Sequence, residues 1–220
     1  MPDGQDDIAR DTGDRTEIRK GRKFGQVLAG ARKIFLRDGY EGASVDDIAR
    51  EAGVSKATLY SYFPDKKLLF LEVAKAECGR QAEQTLEVLD LDAAPEQVLR
   101  TAAEHIVTLV SSEFGQKVFR ICVAESDRFP QLGREFYHSG PHLVRQRISE
   151  YLRRAVARGE LAIEDIELAA DQFHELCKAN IQAKLIFGIN DCCPARDAKR
   201  TVDGAVEMFL ARYGVRQTAG

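Results

Sequence analysis

The stretch Ser55-Lys56-Ala57-Thr58-Leu59-Tyr60-Ser61-Tyr62-Phe63 sets small and cationic residues at one end of a short helical pattern and two phenols at the other. Ser55, Lys56, Ala57 and Thr58 leave the backbone free to approach a surface closely and offer hydroxyl and ammonium donors. That chemistry suits the edges of bases in a DNA groove. Tyr60 and Tyr62 carry hydroxyls beyond an apolar ring, a useful length for reaching phosphate oxygens. Leu59 and Phe63, four apart, can face a core. Lys66 falls in the first turn of the next helix, where a cation opposes the helix dipole unless both meet an anion such as phosphate.

The elements that position these residues are helical. No sustained period-2 alternation and no Asn-Gly turn is present, whereas 3.6-residue periodicity runs along the chain. The expected fold is all-α, with about nine helices over residues 21–39, 45–52, 56–63, 66–88, 95–112, 115–126, 130–159, 164–187 and 195–213. Ser44 stands three residues before Asp47, as an N-cap would. Gly53 ends the second helix, Ser55 can cap the third, and Pro64 with Asp65 closes the third and opens the fourth. The seventh helix must bend near Gly140-Pro141. A tight Ala-Gly-Val turn between the second and third helices outlines a helix-turn-helix. The expected organisation is a disordered tail over 1–18, a three-helix DNA-binding domain over 19–67, and a larger helical ligand-binding and dimerisation domain over 68–220.

Charge distribution agrees. The 220 residues carry a net charge of −3, with −4 over residues 1–14, +5 over 15–67 and −4 over 68–220. A basic segment inside an acidic chain is an electrostatic footprint for nucleic acid. No run reaches the roughly 18 apolar residues of a membrane span, and the start lacks a signal peptide's basic and apolar parts, so a cytoplasmic protein without a membrane partner is expected. The five cysteines form no CxxC pair, which argues against a disulfide framework or a zinc finger.

The long motif SVDDIAREAGVSKATLYSYFPDKKLLF, with a looser ILxxAxxxFxxxGY pattern at Val27 to Tyr40, resembles the DNA-binding domain of TetR-type bacterial regulators. Arg128–Pro141, RFPQLGREFYHSGP, resembles the ligand-domain segment of one subgroup. The resemblance implies a homodimeric repressor that leaves its operator when a small molecule occupies the C-terminal domain. By position it implies that Ser44 touches backbone phosphate, that Lys56, Ala57 and Thr58 read or abut bases, and that Tyr60, Tyr62 and Lys66 clamp phosphates. Ala57 stands where the family often has glycine, and Tyr62 where it often has histidine.

In the larger domain the aromatics exceed what a small bundle needs. Phe114, Phe119, Phe136, Tyr137, Tyr151 and Phe173, with Cys122 and His174, are the candidate contacts for a small apolar or amphipathic effector. The helix expected over 164–187 is apolar on more than one side and the one over 195–213 carries a single apolar stripe, so Leu176, Ile181, Leu185, Val202, Val206 and Phe209 are candidates for a two-fold seam.

Other chemistries are thinner. His138 and His142 are four apart but flank Gly140-Pro141 and lack a third ligand, so no metal site is expected. His174 and Cys177 read as a packed pair or as pocket residues. Adjacent Cys192 and Cys193 could serve a redox- or metal-responsive regulator. No Ser-His-Asp pattern, phosphate-cradling loop or HExxH is present, so neither an enzyme nor a cofactor is expected. A helical small-molecule-binding protein without operator affinity is the remaining alternative.

Overall fold

The computed structural model describes residues 21–88, 90–127 and 130–215. The tail expected over 1–18 lies outside the described residues, as do Arg128 and Phe129 of the segment quoted above. The described residues form eleven helices: α1 (Arg22–Gly42), α2 (Val45–Ala52), α3 (Lys56–Tyr62), α4 (Lys66–Val88), α5 (Pro95–Ser111), α6 (Glu113–Glu125), α7 (Pro130–Ser139), α8 (Pro141–Ala157), α9 (Ile166–Leu176), α10 (Gln182–Ile186) and α11 (Ala195–Tyr213).

The local signals act as their chemistry requires. The Ser44 hydroxyl accepts from the Asp47 N–H at 3.0 Å and donates to the Asp47 carboxylate at 2.6 Å, closing the α2 N-terminus. Gly53 ends α2 in the left-handed region (φ 64°, ψ 34°), where a Cβ would be strained. Ser55 caps α3 by accepting from the Thr58 N–H at 3.1 Å, and the Asp65 carboxylate accepts from the Leu68 N–H at 2.8 Å at the start of α4.

Two of the expected helices are each interrupted. At Gly140 the backbone turns to φ −124°, ψ −89°, and Pro141, with no N–H to give, opens α8 instead of continuing α7. The expected helix over 164–187 breaks after Leu176, and α10 begins only at Gln182. Asn180 adopts φ 63°, a conformation that asparagine tolerates better than most residues.

Two apolar clusters organise the chain. The first gathers Phe24, Val27, Ala31, Ile34 and Phe35 of α1, Ile48 and Ala52 of α2, and Leu59 and Phe63 around α3. It also contains Leu69, Phe70, Val73 and Ala74 of α4 and Val118 and Cys122 of α6, so this core runs past residue 67 and into the larger domain. The second is built from α5, α8, α9 and α11 with Leu161, Ile163, Cys177, Ile181 and Leu185.

This second core corrects several expectations. Tyr151 is buried, and its hydroxyl donates to the Ala93 carbonyl at 3.1 Å; Phe173 is buried edge-on against Phe209 at 5.2 Å between centroids. Phe114 packs edge-on to Phe70 at 5.6 Å beside the first core. All three fill the protein's own packing. Ile181, Leu185, Val202, Val206 and Phe209 are likewise buried within the chain, which takes them off the surface a seam would use; Leu176 is partly buried against the same core. The outward faces of α9 and α11 carry Leu168 and Met208, 50% and 60% exposed.

Gly30 marks the tightest approach in the first core. A Cβ there would lie 2.7–2.9 Å from the backbone N, Cα and Cβ of Ala52. Gly30→Ala gains about 1 kcal/mol of helix propensity, but the overpacking it forces between α1 and α2 costs about 1–3 kcal/mol. A net loss of stability is expected, read as a lower urea midpoint. An unchanged or higher midpoint would show that the two helices separate without strain.

Candidate nucleic-acid interface and buried cavity

α3 has seven residues and inserts Leu59 into the first core, leaving Lys56, Ala57 and Tyr60 exposed. Thr58 is half-buried, and its hydroxyl shares a hydrogen bond with the Ser55 hydroxyl at 2.9 Å. Tyr62 leans its ring edge-on against Phe24 at 5.8 Å between centroids. The N-terminal turn of α3 therefore projects its side chains outward, while Leu59 and Phe63 bind the helix to the body.

Acids already pair with several cations on this surface. Lys56 Nζ lies 2.9 Å from Asp46 Oδ1, and hydrogen bonding to that carboxylate raises the lysine above its ordinary pKa. Lys33 meets Glu51 at 2.8 Å, and Arg50 meets Asp47. Such exposed pairs contribute little stability, so a phosphate or a base edge can displace them at small cost.

Lys66 is turned inward. Its ammonium donates to the carbonyls of Tyr40 at 2.8 Å and Ala43 at 3.1 Å and sits 4.5 Å from the Tyr40 ring centroid. The residue expected to clamp phosphate thus ties the start of α4 to the end of α1. The hydroxyls of Ser44 and Ser55 are similarly occupied in capping.

Between α5 and α10 lies a cavity of about 540 Å³. Phe119, Cys122, Phe136, Tyr137 and His174 line it, while Phe114, Tyr151 and Phe173 do not. Its wall from α5, α6 and α7 is largely apolar. Its other wall carries Arg145, Asp171, His174, Glu175, Lys178 and Gln182. Of these only His174 was singled out from the sequence. The available signal was the spacing of Asp171, His174, Glu175 and Lys178, three or four apart, which sets polar side chains beside one another at the C-terminal end of the helix.

The charged members are mutually paired: Arg145 Nη1 donates to Asp171 Oδ1 at 2.8 Å, and Lys178 Nζ to Glu175 Oε1 at 2.5 Å. The second Arg145 Nη lies 2.8 Å from His142 Nδ1, which must accept because guanidinium has no acceptor. Burial pushes His174 below the ordinary histidine pKa, reinforced by the Lys178 cation and opposed by Glu175 and Asp171; it is neutral near pH 7.

The thinner chemistries find little support. The His138 and His142 rings meet edge-to-face at 5.2 Å between centroids, with the Arg145 cation on His142. Among the described residues no cluster of three His, Cys, Asp or Glu could hold a metal ion. Cys177 is buried in the second core, and desolvation pushes its thiol up to about 12, so it stays protonated and unreactive. Cys192 is exposed, and Cys193 is half-buried with its thiol 3.7 Å from the Pro194 carbonyl. No described helix is long and apolar enough to cross a membrane.

Comparison with known proteins bears on both regions. Residues 27–73 match the model for bacterial regulatory proteins of the tetR family, and residues 97–215 match the model for the C-terminal domain of AefR-like transcriptional repressors. A solved protein from Mesorhizobium loti MAFF303099, described as a TetR-family transcriptional regulator, is 30% identical with a TM-score of 0.77, over 90% of this chain and 99% of that one. The flavonoid-responsive regulator FrrA is 34% identical with a TM-score of 0.66, over 89% of this chain and 99% of that one. The HTH-type transcriptional repressor AcnR of Corynebacterium diphtheriae is 38% identical over 72 residues, 33% of this chain and 37% of that protein. The chain thus spans about a third of the length of the AcnR repressors it matches. With both family models matched in chain order and the helix-turn-helix folded as described, this chain belongs to the TetR family of bacterial regulatory proteins.

Proposed function

We propose that the protein is a homodimeric, DNA-binding transcriptional repressor released from a palindromic operator by a small molecule in the cavity. The observation that carries this reading is α3. It is doubly anchored by Leu59 and Phe63 and projects Lys56, Ala57 and Tyr60 into solvent, where among the described residues Lys56 pairs with the exposed Asp46 carboxylate. One such helix makes few contacts, so tight binding needs two, about 34–36 Å or a multiple apart. The kinship with flavonoid-responsive FrrA supports an aromatic effector.

The route between the two sites is contiguous. Phe136 and Cys122 line the cavity on one side and, on the other, a small crevice against Leu71, Glu72 and Lys75 of α4. Lys75 bonds Glu135 of α7 at 2.7 Å. An effector that displaces Phe136 therefore presses on α4, whose first residue holds the end of α1. For release, it must bind the DNA-incompetent arrangement more tightly than the competent one.

A gel shift on the DNA flanking the protein's own coding region tests the reading. Retardation of a palindromic fragment that weakens steeply with salt is expected. Cavity binding without any shift at low salt would favour the helical small-molecule-binding alternative.

Within the interface, Lys56→Ala should lose about 1–3 kcal/mol on the operator and less on random duplex, whereas Tyr60→Phe should weaken both alike. Anisotropy titrations on the two duplexes check this. Equal loss on both for Lys56→Ala would refute a base-reading role.

The dimer is assigned to the outward faces of α9 and α11, around Leu168 and Met208. The double substitution Leu168→Asp, Met208→Asp should sediment as a folded monomer and bind the full operator about 100-fold more weakly or worse. A monomer that retains parental operator affinity would remove the need for a dimer.

A further inference from the structure

The polar groups of the cavity fall into two sets that differ in how they are satisfied. Among the described lining residues the charged groups are Arg145, Asp171, Glu175 and Lys178, and each already has its counter-ion within 2.8 Å. Their sum is zero. The neutral groups are less committed. His174 Nδ1 lies 3.7 Å from Glu175 Oε1, longer than a hydrogen bond, and the Gln182 side-chain amide has no hydrogen-bond partner among the described residues. The Gln116 amide donates to the Ser111 carbonyl at 3.0 Å, which leaves its oxygen available. What is left open to a ligand is a set of uncharged donors and acceptors facing an aromatic and aliphatic wall.

We propose that the cavity takes an uncharged aromatic or fused-ring molecule carrying hydroxyl or carbonyl groups at one end, with its rings against Phe119 and Phe136 and its polar end hydrogen-bonded to His174 and Gln182. This rests on the reading of the cavity as the effector site and specifies the class of effector. A carboxylate entering here meets two cations already neutralised, so it must share Arg145 with Asp171 or Lys178 with Glu175 and leaves a net negative charge beside them. An ammonium meets the mirror problem with the two cations. A plain hydrocarbon satisfies the apolar wall but buries His174 and Gln182 without partners. A hydroxyl or carbonyl avoids all three penalties, and the neutral imidazole can both donate and accept. The volume, about 540 Å³, lies within the range of small-molecule sites, roughly 300–1,000 Å³.

The test uses three probes of one shape and different charge, 4-phenylphenol, biphenyl-4-carboxylate and 4-phenylbenzylammonium, titrated calorimetrically into the full-length protein at pH 7. The neutral phenol should bind at least about tenfold more tightly than either ion. His174→Ala should weaken the phenol at least about tenfold, and His174→Gln, which keeps a neutral hydrogen-bonding tip, should restore it; circular dichroism checks that each variant is folded. Carboxylate or ammonium binding as tight as the phenol's overturns the proposal, as does binding by none of the probes, or phenol affinity unchanged by His174→Ala. The same phenol is then added to the operator complex. Selective binding without operator release leaves the proposal standing and overturns the regulatory reading instead. Release by the carboxylate in place of the phenol does the reverse.

Discussion

A seven-residue helix cannot hold itself together in water, and everything proposed for this protein depends on how α3 is held. The holding interaction is apolar burial. Leu59 and Phe63 enter a core whose other walls come from α1, α2, α4 and α6, and Phe63 stacks on Phe24 at 5.3 Å between centroids. Fully burying two such side chains contributes about 1.5–3 kcal/mol each. The outward residues are thereby relieved of any packing duty, which leaves Lys56, Ala57 and Tyr60 available for a partner.

Because that core includes α4 and α6, the recognition helix is not insulated from the rest of the chain. α4 is tied to α1 at two levels: Lys66 on the carbonyls of Tyr40 and Ala43, and buried Glu77 on Arg32 at 2.6 Å, with Arg80 completing the network. Breaking one partner of a buried ion pair is far more disruptive than breaking an exposed one. The Lys66 and Glu77 contacts thus join α4 to α1 at both ends of their contact, beside the core that holds α3. Cys122 belongs to this core and also lines the cavity, so a single α6 residue touches both regions.

Charge neutralisation serves opposite ends at the two sites. On the α3 surface the ion pairs are exposed, so water screens them and an incoming polyanion exchanges readily with Asp46 for Lys56. In the cavity wall the cations are the shielded partners, Arg145 at 23% and Lys178 at 16% exposed, while Asp171 and Glu175 keep 47% and 70% of their surface in water. The pairs neutralise the wall, and solvent reaches them from the acid side.

The sequence by itself determined what local chemistry determines. Caps at Ser44, Ser55 and Asp65, the left-handed stop at Gly53, and the 3.6-residue stripes of α1 through α5 are written in neighbouring residues, so the helix-turn-helix and its outward residues were legible. Long-range choices were not. An apolar stripe says that a side chain must be buried but not against what, so Phe209 and Val202 read equally well as a seam or as core, and only packing against α5 and α9 decided for core. Tyr151 and Phe173 passed from pocket to core for the same reason. Lys66 looked like a free cation until the fold brought two carbonyls, 26 and 23 residues away in sequence, within its reach. The polar wall of the cavity was hidden because its residues come from separate elements and become a surface only when α8 packs on α9 and α10 meets α5 and α6. Periodicity is a property of one element; a partner is a property of two, and that is what tertiary structure alone decided.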